Sequence, residues 1–170
     1  MYILAIVGFL TLMAWLFSGE IEEQRNPNRS VEVGTAANGA AEVILKRNRA
    51  GHYVATGFVN GAETEFILDT GATDVAVSEP VARAAGLSAG RGLTVATANG
   101  MTAAYSTVID ELRLGHIVER DVRATIVPRL GDIEVLLGMS FLKRLDFAQR
   151  GDTLRLQSRR KPTPDSFNVQ

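Results

Sequence analysis

The sequence contains no cysteine and only two histidines, His52 and His116, in 170 residues. Disulfides and thiolate metal sites are therefore excluded. The compartment stays open, because exported proteins can also lack disulfides. Two isolated histidines make neither a histidine-rich metal cluster nor a Ser-His-Asp arrangement. His52 reads as a solvent-facing residue at a strand start, and His116 as half of a Gly-His turn. An excess of charge is missing too: 18 Lys and Arg stand against 19 Asp and Glu, a net charge of −1. No basic face invites a nucleic-acid partner. The length allows one domain plus appendages.

Residues 1–18, MYILAIVGFLTLMAWLFS, carry no charged side chain. As a helix this stretch would extend about 27 Å, near the hydrocarbon thickness of a bilayer. It predicts an N-terminal transmembrane helix, with Trp15 suited to an interface. The competing reading is a cleaved signal peptide. Against it, there is no basic n-region and no small-x-small site near Phe17-Ser18-Gly19. Arg25 and Arg29 follow the span and none precedes it, so the positive-inside rule favours a cytoplasmic C-terminal side. Residues 19–42 are small and polar and read as a flexible linker. Such a tether would hold a domain off the bilayer, and membrane confinement would raise the effective concentration of its copies.

The centre of the chain is FILDTGATDVAVS, residues 66–78. An apolar, strand-like run closes on Asp69, although an unpaired buried charge is costly. Gly71 permits a sharp turn and the close approach of another segment or a ligand. Thr70 offers a hydroxyl that can turn inward and brace the loop. A bare Asp-Thr-Gly is also ordinary chemistry for leaving a strand. The apolar runs on both sides are not what an exposed turn requires.

This segment resembles the active-site strand and loop of retropepsin-like aspartic proteases, especially bacterial, membrane-anchored, single-domain members. A second segment, VLLGMSFL at 135–142, is similar to the family's apolar-apolar-Gly stretch beside the catalytic loop, with its short C-terminal helix. Between them, Thr97-Ala98-Asn99-Gly100-Met101 resembles the flap hairpin. The resemblance covers roughly residues 53–156. It implies an all-β, retropepsin-like barrel with one or two short helices, acting as an aspartic endopeptidase with Asp69 catalytic. Thr70, Gly71 and Ala72 would form the active-site loop. Ala98, Asn99, Gly100 and Met101 would be the flap over an extended peptide or protein substrate. No metal or organic cofactor is implied. An extracytoplasmic, periplasmic domain is implied as well, against the charge rule, and that orientation is preferred.

The chemistry needs two aspartates that share a proton, one as base on a water and one as donor to the scissile carbonyl. Only Asp69 is followed by Thr-Gly; Asp110, Asp121, Asp132, Asp146 and Asp152 are not. Catalysis therefore requires a homodimer, in which a two-fold axis sets one Asp69 against the other. The alternative is a non-catalytic peptide-binding or dimerisation module on the same fold.

The remaining pattern is scaffold. Asn60-Gly61 predicts a hairpin between residues 53–59 and 63–68, and Asn99-Gly100 a second one. Residues 78–86 predict a helix capped by Ser78, started by Pro80 and ended by Gly86, with Val81, Ala84 and Ala85 facing the core. Gly115-His116 turns between two further strands, and Pro128 ends the second of them. Val135-Leu136-Leu137 reads as a fully buried strand, with Gly138 passing close to the Asp69 loop. Phe141, Leu142 and Leu145 would pack on the sheet. Phe147 and residues 154–156 would close the domain, set at residues 43–157, ahead of a loose tail at 158–170. Val75, Val77, Met101, Ile126 and Val135 are expected to line apolar substrate pockets.

Overall fold

The computed structural model describes Ile6, Val7, Met13 and residues 23–97 and 100–159. Among the described residues from Glu32 onward there are eleven strands and two short helices. The strands are β1 (Glu32–Thr35), β2 (Ala41–Lys46), β3 (Val54–Val59), β4 (Ala62–Leu68), β5 (Val75–Ser78), β6 (Gly92–Thr97), β7 (Gly100–Leu114), β8 (Ile117–Val127), β9 (Val135–Leu137), β10 (Leu145–Arg150) and β11 (Thr153–Ser158). The helices are α1 (Glu79–Ala84) and α2 (Met139–Leu142).

One sheet runs β3-β4-β9-β5-β8-β7-β6, and β7 also pairs with β3 through Phe58↔Arg113 and Val59↔Leu112. That extra pairing closes a barrel of six strands and leaves β6 outside the ring, held by β7 alone. Within the ring, β4 and β9 run parallel, as do β5 and β8; the other pairings are antiparallel. A second antiparallel sheet has the order β1-β2-β11-β10. Its Val43, Leu45, Leu154 and Leu156 share one core with Phe66, Val75, Val135 and Leu137 of the barrel.

Local chemistry explains several elements. At the β3–β4 turn, Asn60 has φ +47° and Gly61 φ +83°, as a type I′ turn demands. β7 and β8 turn about Gly115-His116. Both strands switch faces along their length: Ile117 and Glu119 are buried at one end of β8, Val122, Ala124 and Ile126 at the other. Asp121, at φ +51°, sits where the facing changes. One end thus serves the second sheet and the other the barrel.

Three sequence expectations need correction. Residues 26–42 are not all tether: Asn26 and Asn28 are buried, and β1 pairs with β2. The Asn28 side chain donates to Lys46 O (2.9 Å) and Val54 O (2.6 Å) and accepts from Lys46 N–H (2.7 Å), tying the two sheets together. Polar residues here satisfy backbone groups rather than solvating a linker. In α1, Ala82 and not Ala84 is buried beside Val81 and Ala85, and Ser78 makes no side-chain cap bond. In the second hairpin, Gly100 is not a turn residue; it opens β7, paired with Thr97.

Among the described residues no helix is long and apolar enough to cross a membrane. The span expected at residues 1–18 lies almost entirely outside them, as does the tail beyond residue 159.

Replacing Asn28 by Ala strips three backbone groups of their partner. The expected loss is on the order of 3 kcal/mol, read from the urea midpoint. An unchanged midpoint would show that the strap is not part of the cooperative unit.

Candidate active site

β4 carries Phe66, fully buried, into the core and pairs in parallel with β9 through Phe66↔Val135, Ile67↔Leu136 and Leu68↔Leu137. The ladder continues one residue further, since Asp69 N–H donates to Leu137 O at 3.1 Å. Asp69 therefore leaves the sheet from a fixed backbone position. Its carboxylate turns back on its own loop: Oδ1 accepts from Gly71 N–H at 2.8 Å. The other oxygen, Oδ2, has no partner among the described residues. Asp69 is half-buried, Thr70 and Gly71 are exposed, and Ala72 is half-buried.

The loop is held from beneath by the start of α2. Ala72 O accepts from Met139 N–H (2.8 Å), and Thr73 O from Ser140 N–H (2.9 Å). These are helix-start amides that have no partner within the helix. The buried Ser140 hydroxyl accepts from Val75 N–H (2.9 Å) and donates to Arg123 O (2.8 Å). One side chain thus joins the Asp69 loop, β8 and α2. Gly138 makes the contact possible: a Cβ there would lie 2.2 Å from Asp74 O and 2.8 Å from Ala72 O. Asp74 is in turn gripped by Arg123, whose Nε and Nη2 each reach Oδ1 at 2.8 Å.

No bracing bond from the Thr70 hydroxyl is present among the described residues, and Thr70 is exposed. Ser140 does the bracing instead. Its sequence signal is a hydroxyl two residues past a close-approach glycine, at a helix start where both donors and acceptors need partners. Ser140→Ala leaves Val75 N–H buried without an acceptor. The expected cost is about 1–3 kcal/mol, with a fall in turnover exceeding any change in KM; equal turnover at lowered melting temperature would assign Ser140 to stability alone.

Beyond the loop, the β6–β7 arm projects from the barrel. Gly100 and Met101 lie on it, Met101 being 71% exposed. Ala98 and Asn99 lie outside the described residues. A cleft of about 540 Å³ separates the arm from the β8–β9 loop, lined by Thr97, Gly100, Met101, Thr102, Pro128, Arg129 and Gly131. Of the expected pocket residues only Met101 is accessible. Val75, Val77 and Val135 are fully buried and Ile126 nearly so; their apolar side chains fill the barrel. His52 and His116 are both exposed.

Residues 55–144 match the family model described as "gag-polyprotein putative aspartyl protease". A retropepsin-like aspartic protease from Rickettsia conorii, known from its crystal structure, superposes with a TM-score of 0.58 at 34% identity, over 76% of this chain and 94% of that one. An uncharacterized protein in the cobV 5′ region of a Sinorhizobium species is 35% identical over 135 residues, 77% of this chain. An uncharacterized protein of Rickettsia prowazekii is 30% identical over 119 residues, 68% of this chain. The alignments span only 58% and 47% of those two relatives' own lengths.

Proposed function

The chain belongs to the retropepsin-like aspartic protease family, and we propose that it is an aspartic endopeptidase whose dyad is two copies of Asp69, one from each subunit of a homodimer. The observation that carries this reading is the Asp69 carboxylate itself. One oxygen is tied to Gly71 N–H, the other is without a partner among the described residues, and the loop that bears it is locked to β9 and α2. A half-site held this rigidly is suited to meet its symmetry mate.

In the dimer, close approach of the two carboxylates leaves one proton between them. The ionised member removes a proton from a water, which attacks the scissile carbonyl carbon. The protonated member donates to the carbonyl oxygen as the tetrahedral intermediate forms. Collapse returns a proton to the leaving amine and frees both products. Gly71 and Ala72 offer backbone groups to an extended peptide, and the arm bearing residues 98–101 folds over it and excludes water. The domain sits outside the cytoplasm on an N-terminal membrane anchor formed by residues 1–18.

The test is peptide hydrolysis by the full chain in detergent across mildly acidic pH and a wide range of protein concentration. The full chain is required, because truncation at residue 42 would delete β1 and Asn28. Activity per chain that rises with concentration supports the shared dyad. A constant specific activity down to the monomeric range would show that one copy suffices, and no hydrolysis by an assembled dimer would favour a peptide-binding module.

A further inference from the structure

The segment that joins β8 to β9 is pinned at both ends. Val127, the last residue of β8, pairs with Ser78, and Ser78 N–H donates to Glu134 O at 2.9 Å. The Glu134 carboxylate adds a second anchor, its Oε2 accepting from the Thr64 hydroxyl (2.8 Å) and from Glu65 N–H (2.6 Å). Between these staples the chain turns at Pro128-Arg129 and again at Gly131, which has φ +73°. A side chain carried here is presented from a closed base rather than a free loop. Arg129 is that side chain. It lines the cleft of about 540 Å³ that faces the β6–β7 arm, and it is the one charged residue among those lining it. Asp132, a carboxylate of the same loop, does not line the cleft.

We propose that Arg129 makes this cleft a subsite for an acidic side chain, glutamate above all, so that the substrates are peptides with glutamate where the arm closes over them. The inference rests on the endopeptidase reading and narrows it.

Three observations carry it. The valines and the isoleucine expected to make apolar subsites fill the barrel interior, so the chemistry the cleft offers is a guanidinium, a thioether and two threonine hydroxyls. Arg129 is also uncommitted. Arg123 is held by Asp74, Arg120 and Arg113 by Glu111, and Arg155 by Glu42, whereas Arg129 makes no hydrogen bond or ion pair among the described residues. A guanidinium in that state meets a carboxylate through two parallel N–H···O bonds. The third observation is Met101 across the cleft, 71% exposed. Its flexible thioether gives the methylenes of a glutamate an apolar wall while the carboxylate reaches Arg129. Aspartate has one methylene fewer to lay there, and lysine meets a like charge. An arm that folds down excludes water from the pair and strengthens it.

The test is a peptide library, randomised around the scissile bond, digested by the full chain in detergent and read from the termini of the products. Glutamate should be enriched at one position. Paired peptides that differ only by Glu or Gln there, competing in one mixture, should differ about tenfold in kcat/KM. A ratio measured in one mixture does not depend on how much of the protein is folded, so a destabilised variant still reports. Arg129→Ala should bring the ratio to about one, and Arg129→Glu should make lysine preferred at the same position. A glutamate side chain of a peptide titrates at about pH 4.3, so the wild-type preference should fade below that pH.

A peptide array probed with the full-length Asp69→Asn chain reads the same subsite without turnover. Hydrolysis with no preference for glutamate, or with a preference that both Arg129 variants leave unmoved, overturns the subsite and leaves the protease reading standing. Glutamate enrichment on the array that disappears when Arg129→Ala is added, with no hydrolysis by the wild-type chain, upholds the subsite and removes the protease reading.

Discussion

Asp69→Asn is expected to abolish hydrolysis and to leave the folded chain intact. The carboxamide is isosteric, and its oxygen still accepts from Gly71 N–H, the one hydrogen bond the side chain makes among the described residues. Loop geometry is therefore preserved. In the proposed dimer, what disappears is the ability to share and pass a proton, and two-fold symmetry would remove it from both halves of the dyad at once. The expected loss of turnover is at least about 10^4-fold, as for other groups that act as a unit, with no change in melting temperature. Mixing sharpens the test. Equal amounts of wild-type and Asp69→Asn chains that exchange freely leave about a quarter of the dimers fully wild-type. Total activity should then fall to about half of what the wild-type chains give alone. Undiminished activity in the mixture would show that the chains do not share a site; turnover retained by the pure mutant would assign the chemistry to another group.

Gly138→Ala is expected to damage both stability and turnover, for a steric reason. The added methyl would lie 2.2 Å from Asp74 O, 2.7 Å from Asp74 C and 2.8 Å from Ala72 O. All three are backbone atoms of the Asp69 loop, so no side chain can swing aside. Gly138 has φ −91°, a conformation open to any residue, so the effect is one of space alone. Either the loop moves away from α2, breaking the Met139–Ala72 and Ser140–Thr73 bonds, or β9 shifts against β4. The expected cost is about 3 kcal/mol or more. If the chain still folds, turnover should drop by roughly 10^2, since small displacements of a positioned group are amplified in rate. Thermal unfolding and steady-state kinetics read the two effects separately. Gly71→Ala is the useful contrast: its methyl would stand 3.1 Å from Asp69 Oδ1, a side-chain atom, so stability should hold better than activity. Wild-type behaviour of Gly138→Ala on both counts would mean that the loop and α2 are not packed as described.

Features set by neighbouring residues were legible in the sequence. The Asn60-Gly61 and Gly115-His116 turns, the buried Val135-Leu136-Leu137 strand and the close approach at Gly138 are all written locally. Asp69 stood out because a carboxylate closing an apolar strand conflicts with its surroundings. Features set by distant partners were not legible. Asn28 looks like linker chemistry until Lys46 and Val54 are seen beside it. The three valines and the isoleucine expected around the substrate were apolar at suitable positions, yet in a closed barrel that side of each strand is the interior. Ser140 needed Val75 and Arg123, which lie 65 and 17 residues away. The ring closure through Phe58↔Arg113 has no local signature at all.

β6 remains outside that ring. Its ladder is with β7 alone, and the six strands that close the barrel do so without it. Peeling β6 away therefore breaks one seam and leaves the circuit of the barrel complete. The compliance of the arm and the rigidity of the Asp69 platform are set by different bonds. Evolution or design can retune the stiffness of the arm, through Thr97 and Gly100, without loosening the wall that holds Asp69.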